Sequence, residues 1–190
     1  MMNDEDTAQG QPPHVAALAA IFGAQRTERL ALRRVQARDG PALFAIDGDP
    51  ATHQFNPPGS ASADLADSEA RLREWLRHWD ADGVGYWAIM LAGALEVIGF
   101  GGVQRIVWRK RDALNLYYRF APRAWGHGYA TEMARVAVTL ARAHLPQWPV
   151  IARVRPANVP SQRVAERVGL LRRPDLDDAE HAALALGWEG

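Results

Sequence analysis

Cysteine is absent from this chain, and its absence excludes disulfides, thiolate nucleophiles and zinc–thiolate sites. Lysine is almost absent: Lys110 is the only one, and the other basic residues are arginine. A surplus of either charge is missing as well. The 22 Lys and Arg balance the 22 Asp and Glu, and no overall basic field exists to draw in nucleic acid. The six histidines show no metal-ligand spacing, so no metal is expected. No apolar run is long enough to span a bilayer. The apolar stretch at residues 15–22 is short, and Asp4, Glu5 and Asp6 stand where a secretory leader carries basic residues. The expectation is a cytoplasmic protein with neither membrane nor nucleic acid among its partners.

What is present suits one globular domain: 190 residues, 48% of them hydrophobic. Residues 1 to about 13 are polar, with Gly10, Pro12 and Pro13, and read as a disordered lead-in. Residues 15–22 read as a short helix packed on the domain. The division expected is an extension over residues 1–25 and a domain over residues 26–190. Leu30 and Leu32 alternate with Arg29, Ala31 and Arg33, which predicts a strand over residues 28–35. A helix follows over residues 37–47, then a loop over residues 51–62 with Pro57, Pro58 and Gly59. Leu65, Leu72, Trp75, Leu76 and Trp79 share one stripe at helical spacing, so residues 64–79 form an amphipathic helix. Strands are predicted at residues 86–91, 95–103 and 112–120, with Gly93 turning the first into the second and Pro122 ending the third. A long helix over residues 126–145, a short strand at 150–154, a helix at 158–168 stopped by Gly169 and a last strand at 182–186 complete the order. The pattern is that of a mixed α/β sheet, mostly antiparallel, with helices on both faces. The strand–helix–strand unit late in the chain makes two of its strands parallel.

Chemistry concentrates at residues 125–130, Trp125, Gly126, His127, Gly128, Tyr129 and Ala130, between a strand and a long helix. Two glycines let the backbone bend and approach a ligand closely. The amides that follow, to Thr131, open a helix, have no intrahelical partner and carry partial positive charge. Such a loop suits an anion, a pyrophosphate above all, although two glycines can also do no more than shape a turn. A dinucleotide fingerprint needs a third glycine where Thr131 stands, and a Walker loop needs a lysine this segment lacks.

The segment from Tyr118 to Glu132 resembles the acyl-CoA-binding motif of the GNAT N-acetyltransferases. It is most similar to the branch of ribosomal-protein N-terminal (RimJ/RimL-type) acetyltransferases. A second motif lies about thirty residues on: Asn158, Ser161, Glu166, Gly169 and Leu170 match that branch's N-x-x-S-x-x-x-x-E-x-x-G-[FL]. The opening Thr27, Arg29, Leu30, Leu32 and Arg33 resembles its first strand, so the likeness spans about residues 27–170. The resemblance implies the GNAT fold, with two splayed parallel strands at the centre of the sheet, and acetyl-CoA as cosubstrate in the gap between them. It implies pantetheine bonded by the backbone at Phe120 and Ala121, and pyrophosphate held by the amides from Gly126 to Thr131. Asn158 would lie on the pantetheine arm, Ser161 near the sulfur and Arg163 near the nucleotide phosphates. An acceptor amine, either a protein N-terminus or a small molecule, would enter from the opposite face. There His53, Phe55, Asn56 and Asn115 are the candidates to frame it. A homodimer is compatible with the resemblance.

Departures from the family pattern bear on catalysis. Trp125 stands where the family has Gln or Arg, which removes one side-chain hydrogen bond. Ala165 stands where many relatives carry a tyrosine acid, and Asn115 where many carry a glutamate. Ser161, Asn158 and Tyr117 are then the catalytic candidates, with His53 and Glu96 also possible bases. Asn158 serves equally as a helix cap. The expected reaction is acetyl transfer from acetyl-CoA to a primary amine by direct attack in a ternary complex. The alternative is an acyl-CoA-binding regulatory domain without turnover.

Overall fold

A computed structural model describes residues 12–188. Its centre is one eight-stranded sheet in the order β1-β2-β3-β4-β5-β6-β8-β7. The strands are β1 (Ala24–Arg26), β2 (Leu30–Arg34), β3 (Tyr86–Leu91), β4 (Val97–Trp108), β5 (Arg111–Phe120), β6 (Val150–Val154), β7 (Leu171–Arg172) and β8 (Ala182–Leu186). Five α-helices accompany them: α1 (Pro13–Phe22), α2 (Gly40–Asp47), α3 (Leu65–Asp82), α4 (Tyr129–His144) and α5 (Val159–Arg167). All neighbouring strands are antiparallel except β5 and β6, which are parallel and joined through α4. This is the mixed sheet the pattern predicts.

The parallel pair is brief. Its ladder covers Leu114 with Val150 and Asn115 with Ile151 and goes no further, whereas β4 accompanies β5 from Arg111 to Phe120. Beyond Asn115 the two strands part. The edge of β5 that faces β6 therefore carries peptide groups without a strand partner from Leu116 onward, and such groups need one.

Sequence explains most of the elements. Asp64 caps α3 by accepting from the Asp67 amide at 2.9 Å, and Gly83 ends the helix in the left-handed region at φ 69°. The α3 stripe buries Leu72, Trp75 and Trp79, but Leu65 is 39% exposed and Ser68 takes the inward position in the first turn. Trp79 and Trp87 are fully buried, and each indole N–H has a carbonyl: Tyr86 at 2.9 Å and Phe22 at 2.6 Å. Phe22 thereby ties α1 to the middle of the sheet, while its ring meets His144 at the end of α4.

Several boundaries differ from the sequence expectation. The 37–47 segment is a 3-10 turn, Ala37–Asp39, followed by α2. The 51–62 loop opens with another 3-10 turn, Pro50–His53. β4 starts later than expected, because Leu95 lies fully out in the turn, and runs five residues further, to Trp108. α4 starts at Tyr129 rather than at residue 126, because Gly126 and Gly128 sit at φ 79° and 78°, outside helical space. The short strands β1 and β7 lie outside every predicted element. The polar lead-in at residues 1–11 lies outside the described residues.

Candidate acyl-CoA and acceptor sites

β5 presents two faces. Side chains alternate along a strand, so Leu114, Leu116, Tyr118 and Phe120 turn one way while Asn115, Tyr117 and Arg119 turn the other. The first set looks toward α4 and α5: the Tyr118 hydroxyl donates to the Ser161 carbonyl at 2.7 Å and so ties β5 to α5. The second set looks toward α2, the Pro50–His53 turn and α3. The Tyr117 ring lies 5.0 Å from that of Tyr86 and 5.8 Å from that of Trp75.

At the end of β5 the chain turns through a 3-10 segment, Pro122–Ala124, into the glycine loop. The Ala121 amide donates to Ile98 on β4, and its carbonyl accepts from Ala124. Trp125, 42% exposed, donates its indole N–H to the Phe120 carbonyl at 2.8 Å. That bond is spent within the chain, on the last residue of β5. Of the peptide groups at Phe120 and Ala121, the Phe120 amide is the one left without a partner among the described residues.

The first intrahelical bond of α4 runs from the Glu132 amide to the Gly128 carbonyl at 3.0 Å. The amides of Gly126, His127, Gly128, Tyr129, Ala130 and Thr131 donate to no group of the chain among the described residues. A Cβ added at Gly126 meets nothing within 4 Å, and one at Gly128 meets only an Arg29 nitrogen at 3.7 Å. Open space over unpaired amides at a helix N-terminus fits a phosphate group. His127 is exposed, with its ring stacked on Tyr129 at 5.4 Å.

Across the gap, Asn158 caps α5 by accepting from the Ser161 amide at 3.1 Å, which leaves its NH2 group to donate. Ser161 is half-buried, and its hydroxyl has no hydrogen-bond partner among the described residues. Arg163 is exposed on α5, whereas Ala165 is fully buried in the core.

The other face of β5 carries a buried polar cluster that lone residues in the sequence did not reveal. Asp47, wholly buried, accepts from the Ser62 hydroxyl at 2.6 Å and pairs with Arg71 at 2.7 Å and Arg119 at 3.4 Å. His53 is buried beside it. His53 Nδ1 lies 3.1 Å from the Asn56 side-chain nitrogen, and Nε2 lies 2.7 Å from the Asp47 carbonyl. Arg119 Nη1 lies against the same ring and also reaches the Thr52 carbonyl and hydroxyl. Burial, and then the Arg119 charge, push the His53 pKa down, so the imidazole is neutral at neutral pH. The Tyr117 hydroxyl accepts from Arg119 Nε at 3.1 Å, and burial raises its pKa, so it keeps its proton. Asn115 donates to the Tyr86 hydroxyl at 2.7 Å. Phe55 and Asn56 are half-buried in the loop that borders this cluster. Glu96, by contrast, is exposed and paired with Arg123 at 2.6 Å.

Among the described residues no group of three or more His, Cys, Asp or Glu is placed to hold a metal ion, and no helix is long and apolar enough to cross a membrane.

Comparison with known proteins bears on the family and the fold. Residues 29–171 match the family described as the acetyltransferase (GNAT) domain. The chain is 29% identical over 150 residues to the uncharacterized protein YkkB of Bacillus subtilis (strain 168), covering 76% of this chain and 83% of that protein. Its fold is similar to the acetyltransferase of Agrobacterium tumefaciens, with a TM-score of 0.75 and 27% identity over 87% of this chain and 94% of that one. It is also similar in fold to Mycobacterium smegmatis RimJ in complex with CoA-disulfide, with a TM-score of 0.62 and 20% identity over 83% of this chain and 81% of that one. The chain belongs to the GNAT family and is an acyl-CoA-dependent N-acetyltransferase.

Proposed function

We propose that this protein transfers the acetyl group of acetyl-CoA to a primary amine, on a protein N-terminus or a small molecule, by direct attack in a ternary complex. The observation that carries this reading is the pairing of two unsatisfied backbone surfaces. The free edge of β5 from Leu116 to Phe120 accommodates an amide-bearing arm in the manner of an added strand. The six unpaired amides at residues 126–131 follow directly and suit a pyrophosphate. Asn158 donates to the pantetheine arm through its NH2 group, Ser161 lies near the sulfur, and Arg163 reaches toward the nucleotide phosphates.

The acceptor approaches from the face of Asn115 and Tyr117, framed by His53, Phe55 and Asn56. An α-amine, with a reference pKa of about 8, is appreciably neutral near pH 7. Its nitrogen attacks the thioester carbon, the C–S bond breaks, and the electron pair leaves on sulfur. A thiol pKa of about 8.5 makes the thiolate a tolerable leaving group, and the Ser161 hydroxyl donates a hydrogen bond to it. Both His53 ring nitrogens are engaged, so the amine proton passes to water and His53 holds the acceptor loop in place. Tyr117 keeps its proton and acts as a donor toward the reacting centre. Catalysis rests chiefly on positioning.

The test is thiol release from acetyl-CoA over a panel of N-terminal peptides and small amines, beside binding of acetyl-CoA by calorimetry. Amine-dependent release of CoA is expected. Saturable binding with no release for any acceptor class would favour an acyl-CoA-binding regulatory domain instead.

A further inference from the structure

The glycine loop is anchored by a side chain from another part of the sheet. Arg29, just before β2, donates from Nη1 to the His127 carbonyl at 2.9 Å. Its Nε donates to Glu132 Oε2 at 2.7 Å, and its Nη2 pairs with the same carboxylate. Its guanidinium lies 5.1 Å from the centre of the Tyr129 ring, whose neighbour along the stack is His127. Glu132 is itself fixed: the Thr27 hydroxyl donates to Oε1 at 2.5 Å, and the Arg29 amide approaches the same oxygen at 3.3 Å. The result is a fork held at its base by α4 and Thr27, with one tine on the carbonyl between the two glycines.

That carbonyl determines where an amide points. In a trans peptide the C=O and the following N–H point in opposite directions. With the His127 oxygen turned to Arg29, the Gly128 N–H is turned away from Arg29. The peptide has little else to hold it. Gly128 has no side chain, His127 is exposed, and none of the loop amides is bonded to the chain among the described residues. Rotation about the bonds flanking this peptide would exchange an inward N–H for an inward carbonyl, which repels an anion.

We infer that Arg29 is a positioning residue for the phosphate cradle: it locks the His127–Gly128 peptide so that the Gly128 amide faces the bound pyrophosphate. The inference rests on the assignment of residues 126–131 to the pyrophosphate. Arg29 acts here by shape rather than by charge, since Glu132 neutralises it and its nitrogens are spent on Glu132 and His127. Lysine cannot replace it, because a single ammonium lacks the planar fork that holds both partners at once.

The experiment compares acetyl-CoA with S-acetylpantetheine, which has the same thioester arm and no pyrophosphate, on the wild type, Arg29→Gln and Arg29→Lys. Affinities are read by calorimetry and by amide shifts in NMR. The wild type is expected to prefer acetyl-CoA. Arg29→Gln is expected to lose roughly ten- to a hundredfold in acetyl-CoA affinity, the scale of one hydrogen bond to a charged group. Its S-acetylpantetheine affinity stays unchanged, and Arg29→Lys recovers little. Retained acetyl-CoA affinity in Arg29→Gln would overturn the inference, as would full recovery in Arg29→Lys, which would make Arg29 a simple charge. Loss of both ligands together would show a folding role and overturn it as well. A wild type that binds both ligands equally would refute the cradle itself, a failure distinct from that of Arg29.

Discussion

Ser161 and His53 sit on opposite sides of β5, and their surroundings give them different work. The Ser161 hydroxyl is unspent while its carbonyl is held by Tyr118, so the residue is fixed but its proton is free. Ser161→Ala should therefore lower kcat by about tenfold, the value of one hydrogen bond near 1.4 kcal/mol. The acetyl-CoA dissociation constant should stay within twofold, as calorimetry would show. His53 is held neutral by burial and by Arg119, and this has a pH consequence. Its folded pKa lies below the unfolded value of about 6.5. The unfolded chain thus binds the proton more readily, and stability rises with pH across this window. The His53 contribution is complete above about pH 6.5 and is lost as pH falls below it. Urea denaturation at pH 7 and pH 5.5 should show a smaller pH-dependent loss in His53→Gln than in the wild type. An equal loss in both would contradict the assignment. Ser161 was legible from its motif. The setting of His53 was not, because Asp47, Arg71 and Arg119 come from three separate elements and none carries a motif.

The elements that the sequence read best are those whose periodicity and punctuation agree. Residues 86–91 and 150–154 coincide with β3 and β6, and Asn158 caps its helix where side-chain chemistry predicts. Where pattern and structure differ, two local tendencies compete. The helical pattern of α4 extends back to its glycines, but positive φ at Gly126 and Gly128 delays the helix to Tyr129. That delay leaves the loop amides unpaired, so the misplaced boundary and the candidate site share one cause. Gly128→Ala should cost about 1–2 kcal/mol in backbone strain, since its Cβ meets nothing closer than 3.7 Å. It should weaken acetyl-CoA binding more than its effect on melting temperature suggests. β1 and β7, of three and two residues, are too short to show a period at all.

Across the whole molecule, the splay of β5 from β6 organises both sides of the chemistry. One face of β5 meets α4 and α5, the other meets the Asp47 cluster, and the unpaired edge lies between. The parallel pair was legible from the strand–helix–strand order, but the length of its ladder was not, because pairing depends on how α4 and α5 seat. α1 is part of this assembly. Phe22 is fully buried, and its carbonyl satisfies the buried Trp87 indole. Phe22→Ala should destabilise the protein by about 3–5 kcal/mol, measured by urea denaturation. On the proposed function, the parted strands and the glycine loop together hold acetyl-CoA. Calorimetric titration of the intact protein with acetyl-CoA tests it most directly. Saturable one-to-one binding, weakened at least tenfold by Gly128→Ala, is the predicted result. No saturable binding, or binding indifferent to Gly128→Ala, would contradict it.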